Sequence, residues 1–150
     1  MNFAKDSTSE VKIYSIELNL DELALPLYQS YVAAGFPSPA DDYVEVSLDL
    51  LKYLVDKPQA TFCVRVSGNS MEGAMICEGS ILIVDRSKTP KNNDIVIAVL
   101  EGEFTVKRFQ KKGNQCWLIP EHPAYEPILI TEDMDFQVWG VVTYIINQPK

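Results

Sequence analysis

The sequence predicts a mainly β fold with one short helix and an extended N-terminal arm. Seven short runs of alternating or apolar residues are separated by turn signals, and a single stretch has helical spacing with a proline beyond its end. A weakly periodic leading segment runs into a Gly/Pro-rich hinge. A chain of 150 residues, 47% apolar, suits one compact domain with an arm rather than two independent domains.

The leading segment, residues 1–34, carries five acidic and two basic side chains and is too short to be a domain by itself. It ends in "AAGFPSPADDY", residues 33–43, where Gly35, Pro37 and Pro39 interrupt any regular element. "SLDLLKYLVDKP" then reads as a helix capped by Ser47, with Leu48, Leu51, Leu54 and Val55 on one face and Pro58 past its end. The strands follow as "TFCVRVS", "SILIVD", "DIVIAVL", "EFTVKRF", "QCWLIP", "PILI" and "FQVWGVVTYII". Glu101 and Gly102 fit a tight hairpin between the third and fourth of these. On the fourth, Phe104 and Val106 share one face and Thr105, Lys107 and Phe109 the other. Lys107 and Arg108 therefore point opposite ways, and the alternation does not say which of them faces inward.

A net charge of -8 and a pI near 4.6 remove the basic footprint that strong, direct DNA binding needs. Cys63, Cys77 and Cys116 form no CxxC pair, and with one histidine they supply no zinc ligand set, so neither metal nor cofactor is expected. No apolar run approaches the ~20 residues of a membrane span. The N-terminus lacks a signal-peptide pattern, so a soluble, cytoplasmic protein is expected.

Chemistry concentrates at "VRVSGNSMEGAM". Ser70 follows Gly68 and Asn69 in a turn after a strand, which lifts its hydroxyl off the sheet beside main-chain N–H groups of the kind an oxyanion needs. A serine is a weak nucleophile without a base. The single histidine, His122, sits in the proline-bracketed loop "PEHPAY", where a solvated loop residue is the simpler reading. A lysine serves as base if burial or a nearby cation lowers its pKa from about 10.4. Lys107, on an apolar strand, fits that description best. Cys63 and Cys116 read as buried strand residues, and Cys77 has no histidine to make it a thiolate.

The segments "LPLYQSYVAAGFPSPADDYVE", "VRVSGNSM", "EGSILIVD", "DIVIAVLEGEFTVKRF" and "GVV", in this order, closely resemble UmuD-like proteins. These belong to the LexA/UmuD family of self-cleaving Ser-Lys peptidases and are accessory subunits of an error-prone translesion DNA polymerase. The resemblance covers roughly residues 25–146, and the combination of SGxSM, a lysine 37 positions on and AGFPSP upstream is its most specific part. It implies a LexA-like peptidase β fold in which Ser70 is the nucleophile, Lys107 the general base and the N–H of Asn69 an oxyanion donor beside that of Ser70. It also implies that the scissile bond is Ala34–Gly35, so that residues 1–34 are a regulatory arm and residues 35–150 the peptidase and dimerisation domain. The implied partners are a second copy, a UmuC-type polymerase subunit and the RecA filament on single-stranded DNA, which stimulates cleavage in the SOS response to DNA damage.

Asn69 stands where an acidic residue is common in that family, "MEGAMICEG" departs from its usual wording, and the first ~24 residues match it poorly. A LexA-type repressor would need a basic helix-turn-helix domain that the acidic arm cannot supply. A signal-peptidase-like enzyme would normally carry a membrane anchor. The remaining alternative is a catalytically silent LexA-like module for dimerisation or polymerase binding.

Overall fold

The computed structural model describes residues 12–14, 24–28, 32, 34, 35 and 45–150. Most of the hinge, including Pro37 and Pro39, lies outside the described residues. The chain divides into two compact units, one of Met1–Glu17 with Lys57–Lys150 and a smaller one of Leu18–Asp56.

The larger unit is an antiparallel sheet. Its strands are β1 (Lys12–Tyr14), β4 (Thr61–Arg65), β5 (Ile81–Asp85), β6 (Ile95–Leu100), β7 (Glu103–Lys112), β8 (Gln115–Ile119), β9 (Ile128–Ile130) and β10 (Phe136–Ile146). Their order is β1-β4-β5-β10-β6-β7-β8-β9. All seven strands expected after residue 60 are present. The last of them, β10, lies at the centre of the sheet, pairing β5 on one side and β6 on the other. Gly140 permits this, because a Cβ there would stand 2.6 Å from a Val84 methyl carbon. The pairing also slips by one residue between Val138 and Gly140, a bulge that bends the strand.

Successive residues of β6 enter different cores: Ile97 packs with Val64, Leu82, Val84 and Val106, while Val96 and Ala98 pack with Leu118 and Val141. A strand buried on both faces has no polar alternation, which is why "IVIAVL" is continuously apolar. The Glu101–Gly102 turn is as expected: Leu100 pairs with Glu103, and both turn residues have positive φ, 50° and 78°.

The smaller unit departs from the sequence reading. The helix, α1, is only Leu50–Leu54, and its cap is Asp49, whose side chain accepts from the Lys52 N–H at 3.1 Å. Ser47 and Leu48 belong instead to β3 (Glu45–Asp49), which pairs antiparallel with β2 (Ala24–Tyr28). "EVSLD" alternates with period two, and an aspartate one residue before the helix caps it as well as a serine would.

Candidate active site

Ser70 sits on a long excursion between β4 and β5. Its base is closed by two main-chain bonds, Val66 N–H to the Ser80 carbonyl at 2.9 Å and Gly79 N–H to the Val66 carbonyl at 2.8 Å. Gly68 turns the chain at φ 89°, and its N–H donates to the Glu78 carboxylate. Met71 and Ile76, 2% and 0% exposed, anchor the excursion in the core. The methionine after the serine is thus a packing anchor that sets where the hydroxyl emerges.

Lys107 lies in the middle of β7, and it is the inward member of the Lys107–Arg108 pair, only 8% exposed. Its Nζ stands 3.0 Å from Ser70 Oγ, 3.0 Å from Thr105 Oγ1 and 3.0 Å from the Val106 carbonyl oxygen. Burial lowers the ammonium from its ordinary 10.5 to about 8. At neutral pH about a tenth of such lysines are uncharged. A neutral amine has two N–H groups and one lone pair. With Thr105 and Val106 accepting the two N–H groups, the lone pair faces the Ser70 hydroxyl, the arrangement that proton abstraction requires.

The main-chain N–H groups next to the serine hydroxyl are also unencumbered. Among the described residues, the main-chain N–H groups of Asn69 and Ser70 donate to no other group, while the Asn69 carbonyl accepts from Glu72 N–H at 3.2 Å. His122 is not joined to the serine. Its Nδ1 accepts from Ala124 N–H at 3.0 Å, and its Nε2 stands 3.9 Å from a Glu72 carboxylate oxygen. Cys63 and Cys116 lie in strands but are half-buried rather than buried, and what burial they have pushes both thiols up. The described residues hold no cluster of three or more His, Cys, Asp or Glu suited to a metal ion.

The sequence of residues 26–143 matches the family described as Peptidase S24-like. This chain belongs to the Peptidase S24-like family. The match takes in Ala34, Gly35, Ser70 and Lys107 together. Protein SamA of Salmonella typhimurium is 46% identical over 125 residues, covering 83% of this chain and 86% of its own. Protein ImpA of Escherichia coli is 41% identical over 138 residues, covering 87% and 88%. A LexA repressor from Acidothermus cellulolyticus is 40% identical over 113 residues, 75% of this chain but 40% of the repressor. Kinship with the LexA/UmuD family, expected from SGxSM and the distant lysine, therefore holds, as does the mainly β fold.

Ala34 and Gly35 form an exposed bend in the smaller unit, with Val32 beside them 94% exposed. Sequence reasoning placed Thr105 on the Lys107 face without giving it a function; an i, i+2 hydroxyl beside an inward lysine was the available signal. It missed the loop containing His122, which docks on the Ser70 turn instead of standing in solvent. Glu121 N–H donates to the Ser70 carbonyl at 2.8 Å, and the Tyr125 hydroxyl to Asn69 Oδ1 at 2.7 Å. Nothing in the local sequence announces that docking. Among the described residues, no helix is long and apolar enough to cross a membrane.

Proposed function

We propose that this chain is a self-cleaving serine peptidase and the accessory subunit of an error-prone translesion DNA polymerase in the SOS response. The observation that carries the reading is the 3.0 Å approach of a buried Lys107 amine, its pKa lowered to about 8, to the Ser70 hydroxyl. Membership of the Peptidase S24-like family and the similarity to ImpA, SamA and a LexA repressor support it.

In this reading the substrate is the chain's own Ala34–Gly35 bond. Neutral Lys107 takes the Ser70 proton as Oγ bonds to the Ala34 carbonyl carbon, and the resulting oxyanion is held by the N–H groups of Ser70 and Asn69. The intermediate collapses with loss of the Gly35 nitrogen, which leaves as an amine carrying the proton from Lys107. Water, deprotonated by the same lysine, then attacks the acyl group on Ser70 and releases Ala34 as a carboxylate. Nucleophile and substrate share one chain or one dimer, so effective concentration replaces substrate affinity.

Loss of residues 1–34 leaves residues 35–150 as a cytoplasmic homodimer that joins a UmuC-type polymerase subunit. A RecA filament on single-stranded DNA promotes cleavage by binding the state in which the arm is docked. The acidic charge of -8 accords with recruitment through proteins rather than through DNA.

Intact-mass spectrometry of the purified chain at alkaline pH, with and without RecA filaments, tests this beside Ser70→Ala and Lys107→Ala. A fragment starting at Gly35, formed by the unmutated chain alone and faster with filaments, is the expected result. A chain that stays whole under all conditions makes the silent dimerisation or polymerase-binding module the better account.

A further inference from the structure

The loop from Pro120 to Tyr125 is tied to the Ser70 turn at three points. Besides the Glu121-to-Ser70 and Tyr125-to-Asn69 bonds, Gly73 N–H donates to the Glu121 carbonyl at 2.8 Å. The approach is close enough that a Cβ on residue 73 would stand 2.8 Å from that oxygen, so the position requires glycine. Internal bonds brace the loop: Tyr125 N–H to the His122 carbonyl at 3.2 Å, Ala124 N–H to His122 Nδ1, and the edge of the His122 ring against Tyr125 at 5.4 Å.

A peptide group is planar and trans, so holding its carbonyl fixes the direction of its N–H on the opposite side. Both peptides flanking Ser70 are held in this way. Glu72 N–H holds the Asn69 carbonyl, Glu121 N–H holds the Ser70 carbonyl, and Tyr125 steadies Asn69 through its side chain. The loop is also joined to the strand that carries the base. Arg108, pointing away from Lys107, donates from Nε to the Glu121 carboxylate and from Nη1 to the Asn93 carbonyl at 2.6 Å. Lys107 reaches Ser70 directly, and its neighbour Arg108 reaches the Ser70 turn through Glu121.

We propose that Tyr125 is a positioning residue for the self-cleavage reaction, holding the Asn69–Ser70 peptide through Asn69 Oδ1 so that Ser70 and its N–H meet the scissile carbonyl in register. Asn69 thereby has a function beyond its main-chain N–H: it is the acceptor that joins the nucleophile turn to the loop. An aspartate would accept the same bond, and an alanine would not.

This inference rests on the Ser70–Lys107 reading, and the test separates the two. The rate of formation of the Gly35 fragment is measured across pH for the unmutated chain, Tyr125→Phe, Asn69→Ala, Asn69→Asp and the Tyr125→Phe/Asn69→Ala double variant, beside their melting temperatures. Labelling of Ser70 by a fluorophosphonate reports reactivity independently of arm docking. Tyr125→Phe is expected to lower the alkaline plateau rate about 10- to 100-fold, with the pH midpoint of the unmutated chain and a melting temperature within a few degrees of it. Ser70 labelling should fall in parallel. The double variant should be no slower than the slower single variant, and Asn69→Asp should keep more of the rate than Asn69→Ala. A Tyr125→Phe rate equal to that of the unmutated chain, single effects that multiply, or unchanged Ser70 labelling overturns the positioning assignment alone. An unmutated chain that never cleaves overturns the underlying reading instead.

Discussion

Among the described residues, the two units of the chain differ in how completely they bury their apolar side chains. In the larger one, β6 and β10 are packed on both faces, and Val64, Leu82, Val84, Val96, Ile97 and Leu118 are all 0% exposed. In the smaller one, Leu25 and Leu27 share a face of β2 yet are 43% and 45% exposed, and α1 buries none of its residues. The difference matches the demands of the proposed reaction. A nucleophile and base that must stay within hydrogen-bond reach need a close-packed frame. In that proposal the bond to be cut needs accessible backbone, and Ala34 and Gly35 lie in an exposed bend.

The largest effect on this contrast is expected at Lys107, where the packed unit carries a buried lysine, the base of the proposed reaction. The unfolded chain holds this proton up to about 10.5 and the folded chain releases it near 8. Between those values the unfolded state binds more protons, so stability rises with pH through that window, and below it the folded chain bears the full penalty. Lys107→Met should abolish cleavage. At pH 7 it should also stabilise the fold, with an upper limit on the order of 3 kcal/mol, because Thr105 and Val106 lose a donor. Urea unfolding at pH 7 and pH 10.5 checks this: the advantage should shrink toward zero at the higher pH, and a constant difference would place the proton elsewhere.

Gly140→Ala probes the frame itself. Its Cβ would meet Val84 at 2.6 Å and the Asp85 carbonyl oxygen at 3.0 Å, and overpacking of this kind costs about 1–3 kcal/mol. Thermal unfolding should show the loss, with cleavage persisting in the folded fraction. Asp49→Ala in the smaller unit removes the α1 cap, worth about 1 kcal/mol; hydrogen exchange should rise at the Lys52 amide and stay unchanged in β6. The smallest effect belongs to Leu27→Ser, which at an exposed position should change global stability by less than about 0.5 kcal/mol. A larger change at Leu27 would mean that the smaller unit contributes more to the folded state than its burial indicates.

The same contrast governs what the sequence made legible. The strands from β4 to β10 were readable because burial imposes either alternation or a continuous apolar run between turn residues. β2 was not, since Pro26 sits inside it and its leucines answer to no core. The helix start was misplaced because Ser47 and Asp49 are both good caps, and only pairing with β2 decides between them. At the site, spacing and residue type pointed to Ser70 and Lys107, but period-two alternation could not say whether Lys107 or Arg108 faced inward. The docking of Glu121 and Tyr125 was illegible for a different reason. It depends on two loops meeting in space from positions 56 residues apart, and neither loop carries a pattern that announces the other.

The proposed cleavage needs a lysine that is neutral within reach of a serine, and its pH dependence tests that requirement most directly. Initial rates of Gly35-fragment formation from about pH 6 to pH 11, with His122→Gln as a control, should rise about tenfold per pH unit at the acidic end. They should bend near the Lys107 value of about 8 and level off above it, unchanged in midpoint by the control. A rate that follows a midpoint near the histidine value of about 6.5, or that keeps climbing past the ordinary lysine value of about 10.4, would contradict a buried Lys107 as the base.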